Sequence, residues 1–258
     1  MKRSWQELAE VSLSVAREAA ELVREGWRSK PEAAEKTRAN LVTEYDVASE
    51  RLIRERLARL APGVAIVGEE IGGEANAELT FYCDPLDGTT NFVHGHPFWC
   101  VSIGVLAAGV PVAGAVVAPS LATEWIGWQG GTALRNQKEC AVSSTDQLGD
   151  ALLATGFPTD RTRAPENNFD TFVRVKRVVR AVRRCGAAAI DLCFVADGTY
   201  DGYWERVVNA WDLAGGAAVV LAAGGRLTSL DGSPARLERG NVLATNGHIH
   251  ADLTHLLI

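Results

Sequence analysis

Apolar and small residues recur at helical spacing from Trp5 through Leu8, Ala9, Ser12, Val15, Ala16, Ala19, Leu22 and Val23. That period predicts a core-facing helix, capped at its end by Gly26. The pattern then breaks, and residues 27 to 40, polar around Pro31, are expected to form an exposed excursion. Thr43 and Asp46 have the spacing of a capping box ahead of a second helix, which should run to about Leu60 and stop at Ala61-Pro62-Gly63. Two short strand-like runs follow, Val64 to Val67 and Leu79 to Cys83, and each is succeeded at once by carboxylates.

From Pro97 to Thr123 no residue is charged. Length alone would permit a membrane span, but Gly104, Gly109, Pro111 and Gly114 interrupt two β-rich runs, Cys100 to Leu106 and Val112 to Ala118. A buried hairpin turning near Ala108-Gly109 fits better. The second half predicts a helix around Phe169 to Arg184, a small-residue helix around Ala187 to Ala196, a strand near Tyr203 and a helix from Trp211 to Ala223. Later strands are expected at Arg226 to Leu230 and Asn241 to Ala244, separated by a turn at Asp231-Gly232. The mixture lacks a strict βαβ rhythm and points to layered sheets and helices. With 258 residues, one compact unit or two packed halves, about 1–145 and 146–258, both fit.

Composition changes this picture little: 47% of residues are hydrophobic and 22% charged, enough to bury a sizeable core. The net charge of -6 offers no broad attraction to nucleic acid or to anionic membrane. Five cysteines, with no C-x-x-C pair, read as buried thiols of a reducing compartment. The N-terminal residues enter a helical charge pattern with no apolar signal region, so a cytoplasmic protein is expected.

The stretch richest in chemistry is Asp84-Pro85-Leu86-Asp87-Gly88-Thr89-Thr90-Asn91-Phe92, preceded by Gly68-Glu69-Glu70 and joined later by Trp211-Asp212-Leu213-Ala214-Gly215. Two carboxylates three residues apart in a Pro/Gly turn repel each other unless a cation or a proton lies between them. Gly88, Thr89 and Thr90 would offer backbone N–H groups to a phosphate at a helix start. The candidate donors are oxygens with no His or Cys at ligand spacing, which suits Mg2+ better than zinc. A surface turn is the plain reading of Asp-Pro-x-Asp-Gly alone, and the two companion segments are what argue against it.

These segments resemble the signature motifs of the inositol monophosphatase family. The similarity extends to Leu41-Val42-Thr43-Glu44-Tyr45-Asp46, His96-Pro97-Phe98, Leu152 to Pro158 and Gly186-Ala187-Ala188-Ala189. The resemblance implies an α+β fold, a layered αβαβα sandwich of the inositol monophosphatase/fructose-bisphosphatase type. It further implies a homodimer, lithium sensitivity, and two or three Mg2+ ions. By the same resemblance Glu69, Asp84 and the Leu86 carbonyl bind one ion, and Asp84, Asp87 and Asp212 a second. Glu69 and Thr89 would orient the attacking water, with Asp46 as a further catalytic candidate acting near a third ion or through water. Gly88, Thr89, Thr90, Gly186, Ala187 and Glu205 would contact a small phosphorylated polyol or sugar. The implied reaction is hydrolysis of myo-inositol monophosphate by metal-activated water with no phosphoenzyme.

Several residues keep two readings. The capping box gives Asp46 a sufficient structural job, and Lys36 fits either a family lysine at the site mouth or a solvated surface lysine. Arg183 and Arg184, just ahead of Gly186, fit either an approach to substrate or a subunit interface, or simple placement at a helix C-terminus. Ala187 stands where relatives usually carry Ser or Thr, and residues 206 to 210 also depart from the family pattern. Among rivals, a haloacid-dehalogenase-type phosphatase needs carboxylates two apart, not three. Histidinol phosphate, fructose 1,6-bisphosphate and 3′-phosphoadenosine nucleotides are alternative substrates for the same fold. A regulatory binding protein with incidental activity would not require five matched site residues.

Overall fold

The computed structural model describes residues 3–29, 31–37, 40–75, 78–159 and 167–258. Helix α1 (Trp5–Gly26) is followed by a hairpin of β1 (Ala33–Thr37) and β2 (Asn40–Thr43), then by α2 (Glu44–Leu60). A seven-stranded sheet comes next, with β3 (Ala65–Gly68), β4 (Leu79–Asp87), β5 (Cys100–Ala107), β6 (Val110–Ala118), β7 (Thr123–Trp128), β8 (Ala133–Arg135) and β9 (Lys138–Cys140) adjacent in chain order. The short α3 (Thr89–Val93) lies between β4 and β5. The remaining elements are β10 (Leu152–Thr155), α4 (Phe169–Lys176), β11 (Ala181–Arg183), α5 (Ala188–Ala196), β12 (Gly202–Arg206), α6 (Ala210–Ala222), β13 (Arg226–Thr228), β14 (Asn241–Thr245) and α7 (His250–Leu257). Their strands form a second sheet in the order β11-β10-β12-β14-β13.

Five layers result. Helices α1 and α2 cover one face of the large sheet, burying Leu8, Val15, Ala19 and Val23 against Val101, Ile103 and Val105. Helices α5 and α6 fill the space between the two sheets, and α4 and α7 close the far face of the small sheet through Val175, Leu253 and Leu257. This is the αβαβα sandwich expected from the sequence, and no helix among the described residues is long and apolar enough to cross a membrane.

The central contact is unusually close. Gly104, Gly114 and Gly127 are register partners across β5, β6 and β7. A Cβ at Gly104 would lie 2.3 Å from the Ala214 carbonyl carbon, and one at Gly114 2.5 Å from the Gly215 oxygen. The glycine row thus lets the Ala/Gly face of α6 settle onto the sheet, where a larger side chain would overpack at a cost of about 1–3 kcal/mol. One consequence is functional, because the first turn of α6 then meets the end of β4.

Sequence expectation and structure differ at four places. The described part of the excursion at 27–40 is mostly exposed but holds β1, paired with β2. Gly26 is the last helical residue and not a left-handed cap; a Cβ there would fall 2.3 Å from the Tyr45 ring, so packing explains it. The helix expected over Phe169 to Arg184 ends at Lys176, because Ala181–Arg183 pairs in parallel with β10 and supplies the sheet with an edge strand. Finally, β4 runs on through Asp87, where a terminal turn was expected. The hairpin at 108–109 turns as expected, with both residues at positive φ, 48° and 79°, as a tight hairpin turn requires.

Candidate active site

The extension of β4 determines how the first pair of carboxylates is presented. Asp84 pairs with Ser102 but Asp87 pairs with Cys100, so three steps along β4 match two along β5. In a regular strand residues three apart face opposite sides; the extra residue of this bulge reverses that parity and turns both carboxylates the same way. Backbone anchors hold the bulge. The Leu86 N–H donates to Asp84 Oδ1 at 2.9 Å, and the Ser49 hydroxyl donates to the Pro85 carbonyl at 2.9 Å.

Gly88 then takes φ 91°. A Cβ there would lie 2.9 Å from the Phe98 oxygen and 3.3 Å from the Gly186 oxygen, so both its conformation and its surroundings require glycine. It opens α3, whose first N–H groups have no acceptor within the helix. Thr89 is fixed from below, with its hydroxyl 3.0 Å from Asp46 Oδ1 and 3.1 Å from the Leu86 carbonyl. Asp46 also closes its capping box, accepting from the Thr43 N–H at 2.8 Å and the Thr43 hydroxyl at 2.6 Å. The capping-box reading is thus realised, and Asp46 also anchors the Thr89 hydroxyl. It lies wholly buried behind Thr89, outside the cleft wall.

Glu69 follows β3 in a turn tied down by Glu50, a buried carboxylate that accepts from the Glu70 N–H at 2.6 Å and the Ile71 N–H at 3.2 Å. Lys36 reaches across from β1 to Glu69, 2.9 Å from its Oε1, and also pairs with Glu70. Asp212 comes from the first turn of α6, where its Oδ2 accepts from the Asn209 N–H at 2.8 Å. One carboxylate oxygen each from Glu69, Asp84 and Asp212 lies within 4.8 Å of the others. Asp87 stands beside them, its Oδ2 accepting from the Ala189 N–H at 2.8 Å.

The crowding raises the proton affinity of these carboxylates. Burial, and then the Asp212 charge, push Glu69 up to about 7. Asp84 and Asp87 are raised well above the usual carboxylate range, first by burial and then by their carboxylate neighbours. Such a cluster stays anionic only if cations compensate it. The donors are oxygens, which suits a hard divalent ion, and the Cys100 thiol lies 3.8 Å from Asp87 Oδ2 as a hydrogen-bond donor.

An open cleft of about 630 Å³ lies over this cluster. Glu69, Asp84, Leu86, Asp87, Gly88, Thr89, Thr90 and Asp212 line one side, and Gly186, Ala187 and Glu205 the other. Glu205, from β12, accepts from the Tyr203 hydroxyl, and burial raises it to about 7. It lies on Gly156, where a Cβ would fall 2.0 Å from its Oε1. The two sides are stitched together by Asn91, whose amide donates to the Phe98 carbonyl at 2.7 Å and the Cys185 carbonyl at 2.9 Å. Arg184 lines the cleft, between the edge strand β11 and the start of α5, so the helix C-terminal placement is not met.

Asn91 and Gly156 fall inside the sequence motifs without an assigned role, and Glu50 and Asp191 fall outside them. Glu50 carried one signal, its i,i+4 spacing to Arg54, with which it pairs at 2.8 Å. The other three act through residues distant in the chain, which no local pattern reports.

Residues 4–257 match the model of a family described as the inositol monophosphatase family. An inositol-1-monophosphatase of Synechocystis sp. is 41% identical over 259 residues, covering 99% of this chain and 89% of that protein. The structure of an inositol monophosphatase from Anabaena (Nostoc) sp. is similar with a TM-score of 0.89 and 37% identity, covering 98% of this chain and 95% of the other. The extragenic suppressor protein SuhB of Bartonella henselae follows at a TM-score of 0.87 and 32% identity, covering 96% and 97%.

Proposed function

Because this chain belongs to the inositol monophosphatase family and is a phosphoric monoester hydrolase, we propose that it converts a phosphorylated polyol, foremost myo-inositol monophosphate, to the free polyol and phosphate. One observation carries the reading: a single cleft faces the Glu69-Asp84-Asp212 carboxylates with the hydroxyl acceptor Glu205 across it. A phosphate with its charge-balancing cations fits the first side, and a ring bearing hydroxyls the second.

In this reading Glu69, Asp84, the Leu86 carbonyl, Asp87 and Asp212 would hold two or three Mg2+ ions. When bound, these ions supply charge to balance the phosphate and acidify the water that attacks it. The chain does the positioning. Thr89 donates its proton toward Asp46 and so keeps its lone pairs for the attacking water. Glu69 accepts from the same water, and the N–H groups of Gly88, Thr89 and Thr90 hold the phosphate oxygens. No side chain need become phosphorylated, since water is the nucleophile. Family resemblance supports a cytoplasmic homodimer that lithium inhibits.

Phosphate release should be measured from inositol 1-phosphate, histidinol phosphate, fructose 1,6-bisphosphate and 3′-phosphoadenosine 5′-phosphate, with Mg2+ and with chelator. Mg2+-dependent turnover greatest on inositol 1-phosphate is expected. Preference for another of these esters would overturn the substrate, and equal rates in chelator would overturn the metal.

A further inference from the structure

Asp191 is a carboxylate without an evident occupation. It stands in the first turn of α5, is 2% exposed, and its buried Oδ1 has no hydrogen-bond partner. An unpaired buried oxygen costs about 1–3 kcal/mol, so its presence calls for a reason. The α5 dipole favours an acid in this turn, but it satisfies no particular oxygen and is fully available to an exposed residue. The side chain also borders the cleft, on the same side as Glu205.

Arg184 is its complement. It is exposed, also lines the cleft, and makes no ion pair among the described residues. Its charge nonetheless favours ionisation of both Asp191 and Glu205. Its guanidinium folds over Gly186, where a Cβ would come within 2.4 Å of Nη1. Ala187 and Ala188, between them in the chain, add no polar side-chain atoms to this wall.

We propose that Asp191 and Arg184 act with Glu205 as a recognition subsite for adjacent hydroxyls of the substrate. A hydroxyl is at once donor and acceptor. Neighbouring hydroxyls on a polyol can donate to the two carboxylates and accept from the guanidinium, joining groups that do not pair directly with one another. An aryl or alkyl phosphate supplies no such bridge and leaves Asp191 unpaired and Glu205 with only its Tyr203 hydroxyl, the situation in which polar sites discriminate most strongly. The proposal rests on the polyol phosphatase reading and assigns its specificity to residues outside the metal cluster.

The test is the ratio of kcat/KM for inositol 1-phosphate to that for 4-nitrophenyl phosphate, in the wild type, Asp191→Asn and Arg184→Gln. Each substitution is expected to reduce the ratio about tenfold, mainly through KM for the polyol ester. Arg184 is exposed, so its variant keeps the question open to decision if Asp191→Asn folds poorly. A strong wild-type preference retained within twofold by Arg184→Gln and by any folded Asp191→Asn overturns the subsite and leaves the functional reading standing. A wild type that does not prefer the polyol ester overturns the functional reading itself, and the subsite with it.

Discussion

The cleft has two walls that hold their polar groups by different means. On the wall built from Glu69, the segment Asp84 to Thr90 and Asp212, nearly every functional group has a second anchor: Asp84 on the Leu86 N–H, Thr89 on Asp46 behind it, Glu69 in a turn tied by Glu50, and Asp212 on the Asn209 N–H. On the opposite wall Glu205 is held by one phenol, Asp191 Oδ1 by nothing, and Arg184 by no ion pair among the described residues. The first wall is a preorganised charge trap whose geometry the backbone enforces. The second keeps hydrogen-bonding capacity unspent for a ligand. Rate should therefore depend on the first wall and discrimination on the second.

The largest test of that division is Asp84→Asn. Removing a charge from the first wall should reduce turnover about 10²–10³-fold, the scale of losing one electrostatic contact to the transition state. The same change relieves repulsion among buried carboxylates, so in chelator the variant should melt at a higher temperature than the wild type. Lower activity with higher stability is the signature of a site strained for function. A variant equally inactive but less stable in chelator would make Asp84 a structural residue.

The pH dependence of stability separates the walls next. In the folded protein burial holds Glu205 up to about 7, against an ordinary value of 4.5. Between those values the folded state binds a proton that the unfolded chain releases, so this stabilisation is complete below 4.5 and is lost as pH rises through 7. A shift of that size corresponds to roughly 3 kcal/mol. Glu69, also held up to about 7, acts in the same direction. In chelator the melting temperature should fall from pH 5 to pH 8 under both influences. With Mg2+ the part from the first wall should vanish, because a cation replaces the proton, while the Glu205 part persists. Melts with the same slope in chelator and in Mg2+ would break this assignment.

The walls also differ in how far the sequence discloses them. Glu69, Asp84, Asp87 and Thr89 were legible because each follows a strand-like run within a few residues, and carboxylates at that spacing make chemical sense only with a cation. The layered fold was legible from the alternation of periods. What sequence could not show was the bulge that turns Asp84 and Asp87 to one side, because parity depends on pairing with β5, which no local pattern encodes. Residues 169 to 184 were misjudged for a similar reason: the run reads as one helix until β10 requires a partner at Ala181–Arg183. Asp191 was invisible because its significance lies in what it lacks, and Gly156 because Glu205 is distant from it in the chain.

The smallest expected effect concerns the seam between the walls. Ala187 is the N-cap of α5, in extended conformation (φ -144°, ψ 103°), with no side-chain bond to the helix. The capping role is taken in part by Asp87 from the other wall, through the Ala189 N–H. On the proposed role of Asp87 as a ligand, a cation drawing electron density from its carboxylate would weaken the bond it gives this helix. Serine at 187 could accept from the next N–H, that of Ile190, and should stabilise the protein by about 0.5–1 kcal/mol, the usual worth of such a cap. If Asp87 serves both helix and cation, the gain should be larger with Mg2+ present than in chelator, because the added cap replaces what the cation withdraws. Thermal melts of Ala187→Ser under both conditions decide this. An equal gain in both would mean that Asp87 serves the helix and the cation without conflict, and that the two walls are coupled by covalent connection and packing alone.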